Sequence, residues 1–220
     1  MGGIAKGREL FTESLTSADS FFDEIMTILI TSFGFVVSAQ LMKSKYSPVL
    51  EYPEEEYAKV DFPFAAIGEQ KIYSFKMFEI LGKVANAVPL DSISYTAYEK
   101  TLDNISNVPN ATILENRDTF YFIRKVMAGC YLSYYEKIKD MVVGRYGSDP
   151  LHWPPPLQFA RVVRNAFAHH SIITIKNPNV PPVTWRHLTY GPQDNGKNIF
   201  TDLFVVELID LFKDVEPMLR

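Results

Sequence analysis

The sequence predicts an all-α fold, a helical bundle with one small β-hairpin near its C-terminal end. Apolar residues recur every three or four positions in several long segments, which is the period of an amphipathic helix. Turn-forming proline and glycine lie between these segments, and a short β-branched stretch comes late in the chain. No low-complexity linker divides the 220 residues, so we predict a single domain, 1–220.

Four helices are predicted in the first two thirds of the chain. Thr112 and Glu115 have the spacing of a capping box before the longest of them, and Gly144 and Gly147 follow its end. The segment 46–63 contains three prolines and an acidic run, so we interpret it as an irregular exposed connector. The predicted helices span 17–43, 72–84, 91–105 and 112–145.

The apolar segment 25–42 is the one candidate for a transmembrane helix. A spanning helix needs about 20 mostly apolar residues. Because this segment contains Thr27, Ser32 and Gln40, we expect a long buried helix and no membrane partner.

A further helix is predicted over 156–170, after a run of three prolines that marks its start. The β-branched stretch 172–175 and the stretch 183–188 flank proline- and asparagine-rich turn residues, so we predict that they pair as a hairpin. Thr201 is expected to cap a final helix.

Three tyrosines of the long helix, Tyr131, Tyr134 and Tyr135, allow two interpretations. Aromatic side chains at this spacing pack in a core or along an oligomer seam. They also stack on nucleic-acid bases. The spacing favours packing and leaves stacking as the alternative.

The helix 156–170 carries a polar arc with the residue types that RNA cleavage without a metal requires. At 100° per residue, Arg161, Arg164, Asn165 and His169 share an arc of roughly 140°, which also contains a small alanine. Arginine offers a planar fork of donors that fits phosphate. Histidine transfers protons near neutral pH. The arc therefore predicts a phosphate-binding and proton-transfer site.

A metal site is not predicted, although His169 and His170 are adjacent. Helical ligands to one ion lie three or four positions apart, and no carboxylate cluster lies near these histidines in sequence. We expect no cofactor.

The segment Arg164-Asn165-x3-His169 resembles the signature of the HEPN (higher eukaryotes and prokaryotes nucleotide-binding) domains. These are all-α domains with an arginine, often followed by asparagine, and a histidine that four to six intervening residues separate from the arginine, near a helix C-terminus. The resemblance implies a metal-independent endoribonuclease that cleaves RNA by 2′-OH attack. It makes Arg164 and His169 the catalytic pair and Asn165 a polar helper. We assign Arg161 to substrate binding.

The same resemblance implies partners. HEPN domains pair so that two motifs face each other, which predicts a homodimer. Some members are toxins, and a toxin or defence role would imply an antitoxin or regulatory protein as partner. In some of these toxins a tyrosine two residues after the histidine is modified by the partner. Here Ser171 stands at that position, which argues against that mode of silencing.

Charge and cysteine content bear on partner and compartment. The formal net charge of −4 lacks the bulk positive field of a general nucleic-acid binder, so RNA would have to bind at a local cationic site. Cys130 is the only cysteine, which excludes an internal disulfide, and the N-terminus does not have the pattern of a secretory signal. We expect a cytoplasmic protein.

Two alternatives to a nuclease remain open. One is a non-catalytic HEPN-like module that binds nucleotide, RNA or a protein. The other is an unrelated helical scaffold in which Arg164 and His169 are structural. A nuclease requires the Arg164 and His169 side chains to converge on a solvent-accessible cleft, whereas a scaffold would engage them in buried hydrogen bonds.

Overall fold

The computed structural model describes residues 8–43, 62–99 and 117–220. The chain divides into two compact units, Met1–Ile123 (unit 1) and Arg124–Arg220 (unit 2). The single domain expected from the sequence stays a prediction, because compactness within each unit does not test whether the two fold together.

Unit 1 contains a four-stranded antiparallel sheet in the order β1-β4-β3-β2. Two helices, α1 and α2, belong to the same unit. The elements are β1 (Glu9–Thr16), α1 (Phe22–Lys43), β2 (Phe62–Ala65), β3 (Lys71–Phe75), α2 (Met77–Ala85) and β4 (Ser92–Glu99).

The two faces of this sheet differ in chemistry because successive residues of a strand point to opposite sides. One face holds an aromatic cluster, in which Tyr95 lies 4.6 Å from Tyr73 and 5.3 Å from Phe75 between ring centroids. The other face is rich in hydroxyl groups. There the Ser14 and Ser94 hydroxyls lie 2.8 Å apart and hydrogen-bond across β1 and β4.

The all-α fold class predicted from the sequence is wrong. The described residues form two antiparallel sheets beside five α-helices. The predicted helix 72–84 is divided into strand β3 and helix α2. Strand β3 is buried along its whole length, and such a strand shows no alternation that would distinguish it from a helix.

The predicted helix 91–105 is also wrong in its described part, since Ser92–Glu99 is strand β4. Its apolar and polar residues alternate, which is the strand period. Residues 100–105 lie outside the described ranges, and so does the predicted capping box at Thr112 and Glu115. Most of the connector predicted over 46–63 also lies outside them, and its last two residues belong to β2.

The first predicted helix is confirmed but begins at Phe22 instead of residue 17. Ile25, Ile28 and Leu29 are buried in it, as their spacing indicates. Within the described ranges no helix is long and apolar enough to cross a bilayer.

Unit 2 is mainly helical. The long helix α3, predicted over 112–145, is confirmed over Arg117–Tyr146 and runs from unit 1 into unit 2. The other elements of unit 2 are α4 (Pro155–Ala168), β5 (Val183–Trp185), β6 (Leu188–Tyr190) and α5 (Val205–Leu219).

The core of unit 2 is aromatic. Tyr131 stacks on Phe212 with centroids 5.5 Å apart, and Phe159 stacks on Tyr190 at 5.3 Å. Tyr131, Tyr134 and Tyr135 are all buried. The packing interpretation of these tyrosines is therefore confirmed, and they are not available to stack on bases.

The hairpin exists, but its strands are not the predicted pair. Strand β5 pairs with β6 across a two-residue turn, whereas in 172–175 only Ile172 forms a bridge, to Asn198. The final helix begins at Val205, and Thr201 lies in a preceding 3-10 turn. The Glu207 carboxylate accepts the N–H of Phe204 at 3.0 Å and so caps α5 in place of Thr201.

An ionic anchor ties the hairpin to α5. The Arg186 guanidinium, at the hairpin turn, donates to the carboxylates of Asp210 and Asp214. The Trp185 indole N–H donates to Asp214 Oδ2 at 2.9 Å. Asp210 is almost completely buried, and the Arg186 guanidinium places an opposite charge in contact with its carboxylate.

Candidate functional site

Helix α4 positions the predicted site residues. Pro154 precedes the helix, and prolines occupy its first positions, where no N–H is needed. Its apolar face is buried and fastens the helix to the core through Leu157, Phe159, Ala160, Val163, Ala166 and Phe167.

The polar arc lies on the other face, as its periodicity predicts. Arg161, Ala168 and His169 are exposed, while Arg164 and Asn165 are half-buried. The arc therefore reaches solvent, although it does not converge on one point. Arg164 and His169 differ by about 140° around the helix axis and by about 7.5 Å along it.

The Arg164 guanidinium is held from two sides. Its Nη2 donates to Glu136 Oε1 at 2.9 Å, and its Nη1 donates to Asn165 Oδ1 at 3.4 Å. Glu136 belongs to α3 and stands 28 positions earlier in the chain. Both charged side chains of the pair remain well exposed, at 36% and 43%.

Glu136 also binds a second cation. Its Oε2 accepts from Lys139 Nζ at 2.8 Å. The hydrogen bonds from Lys139 and then from Arg164 lower the pKa of the Glu136 carboxyl, so this group is ionised at neutral pH. The same carboxylate raises the pKa of Lys139. The carboxylate thus links two cations, one on each helix.

Tyr135 lies beside this ionic group. Burial raises its pKa to about 12, while the positive charges of Arg161 and Arg164 act in the opposite direction. Tyr135, Glu136, Lys139, Arg161 and Arg164 form a set that we call the α3–α4 polar cluster.

The sequence predicts only Arg161 and Arg164 of this cluster as site residues, and it predicts Tyr135 as a packing residue. Glu136 and Lys139 have ion-pair spacing on one helix, a local signal that could have drawn attention to them. Nothing in the sequence indicates that Glu136 faces Arg164, because that contact depends on how α3 and α4 pack.

His169 ends the helix. It is the C-cap residue, with φ −109° and ψ 49°, and its backbone N–H bonds the carbonyls of Ala166 and Asn165 at 3.0 and 3.1 Å. The predicted helix 156–170 therefore ends at Ala168. The imidazole is exposed.

The two residues after His169 have left-handed backbones, with φ 58° at His170 and 67° at Ser171. Such angles are uncommon for residues other than glycine. They turn the chain sharply away from the α4 axis, so His170 is not a continuation of the helix face.

The arrangement is that of an exposed polar surface and not of a buried network. Arg164 has a charged partner but keeps a substantial accessible area, and His169 is open to solvent. This argues against a scaffold in which both side chains are locked in buried hydrogen bonds. Over the described ranges, no three His, Cys, Asp or Glu side chains form a group that could hold a metal ion.

None of the protein-family models, curated proteins or solved structures compared with this chain matches it.

Proposed function

We propose that this protein is a metal-independent endoribonuclease of the HEPN type, with Arg164 and His169 as its catalytic pair. The observation that carries the proposal is that Arg164, Asn165 and His169 share the exposed C-terminal end of α4, with the Arg164 fork oriented by Glu136 and Asn165. The resemblance concerns unit 2, which contains the motif, and not the sheet of unit 1.

Arg164 would bind the scissile phosphate. Guanidinium has five N–H donors, and its contacts with Glu136 and Asn165 use one on each terminal nitrogen. The remaining donors suffice for a bidentate contact with phosphate oxygens. As the phosphorane forms, its additional negative charge strengthens this contact, and that difference accelerates the reaction.

His169 would transfer protons. A neutral imidazole takes the proton of the ribose 2′-OH while the 2′-oxygen forms a bond to phosphorus. The bond from phosphorus to the 5′-oxygen then breaks, and an acid supplies that oxygen with a proton. The products are a 2′,3′-cyclic phosphate and a 5′-hydroxyl, so the reaction consumes no water and its proton transfers need no metal.

A second copy of the chain would complete the site. One imidazole cannot accept the 2′ proton and simultaneously donate to the 5′-oxygen. The angular separation of Arg164 and His169 on α4 also favours a site that combines residues of two motifs. An isologous dimer with its two α4 ends facing each other supplies both proton-transfer groups and two guanidinium forks.

Cleavage of labelled single-stranded RNA by the purified chain in excess EDTA tests this proposal. We expect cyclic phosphate ends and a dimer by light scattering. A protein that stays inert on many RNAs, or that is a monomer at high micromolar concentration while remaining folded, would contradict it.

One observation favours a second candidate, a non-catalytic HEPN-like module that binds RNA, nucleotide or protein. The charge of Arg164 is already balanced by Glu136, so a phosphate must compete with a carboxylate for the fork. RNA binding without cleavage, with equal affinity for the His169→Ala variant, would identify this alternative.

A further inference from the structure

Unit 1 contains a cleft between α2 and β4. Its volume is about 200 Å³. Lys76, Glu79, Ile80 and Lys83 recur three or four positions apart, so one face of α2 runs along the cleft. The opposite wall is formed by Leu90, Ser92, Ile93 and Ser94.

The cleft is locally cationic in an acidic chain. Two lysines and one glutamate line it, whereas the whole chain has a net charge of −4. Glu79 Oε1 lies 3.9 Å from Lys83 Nζ, a long and exposed pair, so the two lysines and one glutamate leave the lining with one net positive charge. Lys76 is exposed and forms no ion pair with a described carboxylate.

Neutral donors accompany these charges. Ser92 and Ser94 come from the hydroxyl-rich face of the sheet and are exposed. The Ser94 hydroxyl shares one hydrogen bond with Ser14, which fixes its position and leaves further hydrogen-bonding capacity. At the Lys76 end of the cleft no side chain caps the first turn of α2, so the positive end of the helix dipole is directed to the same region.

We propose that this cleft binds a phosphate group. Ammonium groups with hydroxyl donors beside them suit tetrahedral oxyanions. Sites for drug-sized ligands usually measure about 300–1,000 Å³, so a smaller cleft fits one phosphate and its ester link better than a whole nucleotide. Lys76 and Lys83 supply the charge, and Ser92 and Ser94 supply the hydroxyl hydrogen bonds.

Glu79 opposes phosphate binding, so the direction in which each substitution changes phosphate affinity tests the proposal. Its carboxylate repels a phosphate and competes for Lys83. Removing this charge therefore strengthens binding, whereas removing either lysine weakens it. A merely structural role of these residues does not produce opposite changes.

The test is a titration of the isotope-labelled full chain with phosphate compounds, in which NMR records the chemical shifts of the backbone amides. Chloride at the same ionic strength is the reference. The probes are inorganic phosphate, ribose 5-phosphate, and a deoxydinucleoside monophosphate that has one phosphodiester and no 2′-hydroxyl. We expect saturable shifts in α2 and in Ser92–Ser94. Binding of the monoester alone identifies a small phosphate ester as ligand, and binding of the diester identifies a nucleic-acid backbone.

Lys76→Ala and Lys83→Ala should each weaken binding about three- to tenfold, and Glu79→Gln should strengthen it. Lys176→Ala, which removes an exposed lysine of unit 2, is the matched control and should change nothing. The proposal is overturned if the amides of α2 and β4 do not respond to phosphate on the order of 10 mM. It is also overturned if the Lys76 and Lys176 variants bind equally. Because the readout lies in unit 1 and needs no cleavage, its failure is distinct from failure of the nuclease proposal.

Discussion

The Arg164 guanidinium on α4 donates to the Glu136 carboxylate on α3 across 2.9 Å. This ion pair is open to solvent, so it contributes little to stability. Its effect is on Arg164 itself, since the carboxylate fixes the direction of the fork and reduces its attraction for an anion. Glu136 is therefore a residue of α3 that orients Arg164 and balances its charge.

Glu136→Gln should increase RNA affinity a few-fold at low salt. The amide keeps an acceptor for Arg164 but no longer repels phosphate. We expect a lower KM with kcat nearly unchanged, measured by cleavage kinetics at two salt concentrations. Asp140→Asn, which removes another exposed acid of α3, is the control. Unchanged or weaker RNA affinity would show that Glu136 does not compete for the fork.

Arg164→Lys should reduce cleavage nearly as much as Arg164→Ala. Lysine keeps the positive charge but loses the planar fork that grips two phosphate oxygens. Melting temperature should hardly change, because the ion pair is exposed. Cleavage rates and thermal melts of the two variants check this. Full activity of the lysine variant would indicate a simple point charge, or no role in the reaction.

His169→Ala should lose about 10²- to 10⁴-fold in kcat, the usual contribution of general acid–base catalysis. His170→Ala is the matched control and should lose far less, because His170 lies beyond the helix end with a left-handed backbone. Rates are measured in metal-free buffer, with circular dichroism to verify the fold. Equal cleavage by both variants would remove His169 from the mechanism.

The stability of the protein should fall as pH rises from about 10 to about 12, partly because of Tyr135. Its pKa is raised from 10.0 to about 12 by burial, so the folded state holds the phenolic proton more tightly than the unfolded state. The contribution of the Tyr135 proton to folding stability is fully present below pH 10. It is lost as the pH rises past the pKa of about 12 that Tyr135 has in the folded state. Denaturant melts of Tyr135→Phe should show a shallower decline, whereas Tyr121→Phe, at a 63% exposed position, should behave as wild type. Identical declines in wild type and Tyr135→Phe would refute the assignment.

Arg186→Ala should destabilise unit 2 by about 2–3 kcal/mol. It leaves the Asp210 carboxylate buried without the contact from Arg186. The double variant Arg186→Ala with Asp210→Ala should lose less stability than the two single variants lose in sum, because it removes both charges of the pair. Urea denaturation measures both effects. Strict additivity would mean that the two side chains are not coupled.

The sequence by itself determined helix α4 and the residues it exposes. Prolines at its start and apolar residues at helical spacing require one buried and one polar face, whatever packs against them. The arrangement of Arg161, Arg164, Asn165 and His169 along one arc follows from that local geometry. The core role of the tyrosines of α3 was predictable for the same reason.

The tertiary structure decided the fold class and the partners of the motif. Residues Lys71–Phe75 become a strand because β2 and β4 pair with its two edges and satisfy its backbone hydrogen bonds, and the side chains on both of its faces are buried. The alternation in Ser92–Glu99 was readable, yet its pairing with β1 joins residues more than 70 positions apart. Glu136 likewise meets Arg164 only because α3 and α4 lie side by side. Periodicity predicts which face of an element is buried, but it does not predict which segment packs against that face. Contacts between distant segments depend on that packing partner.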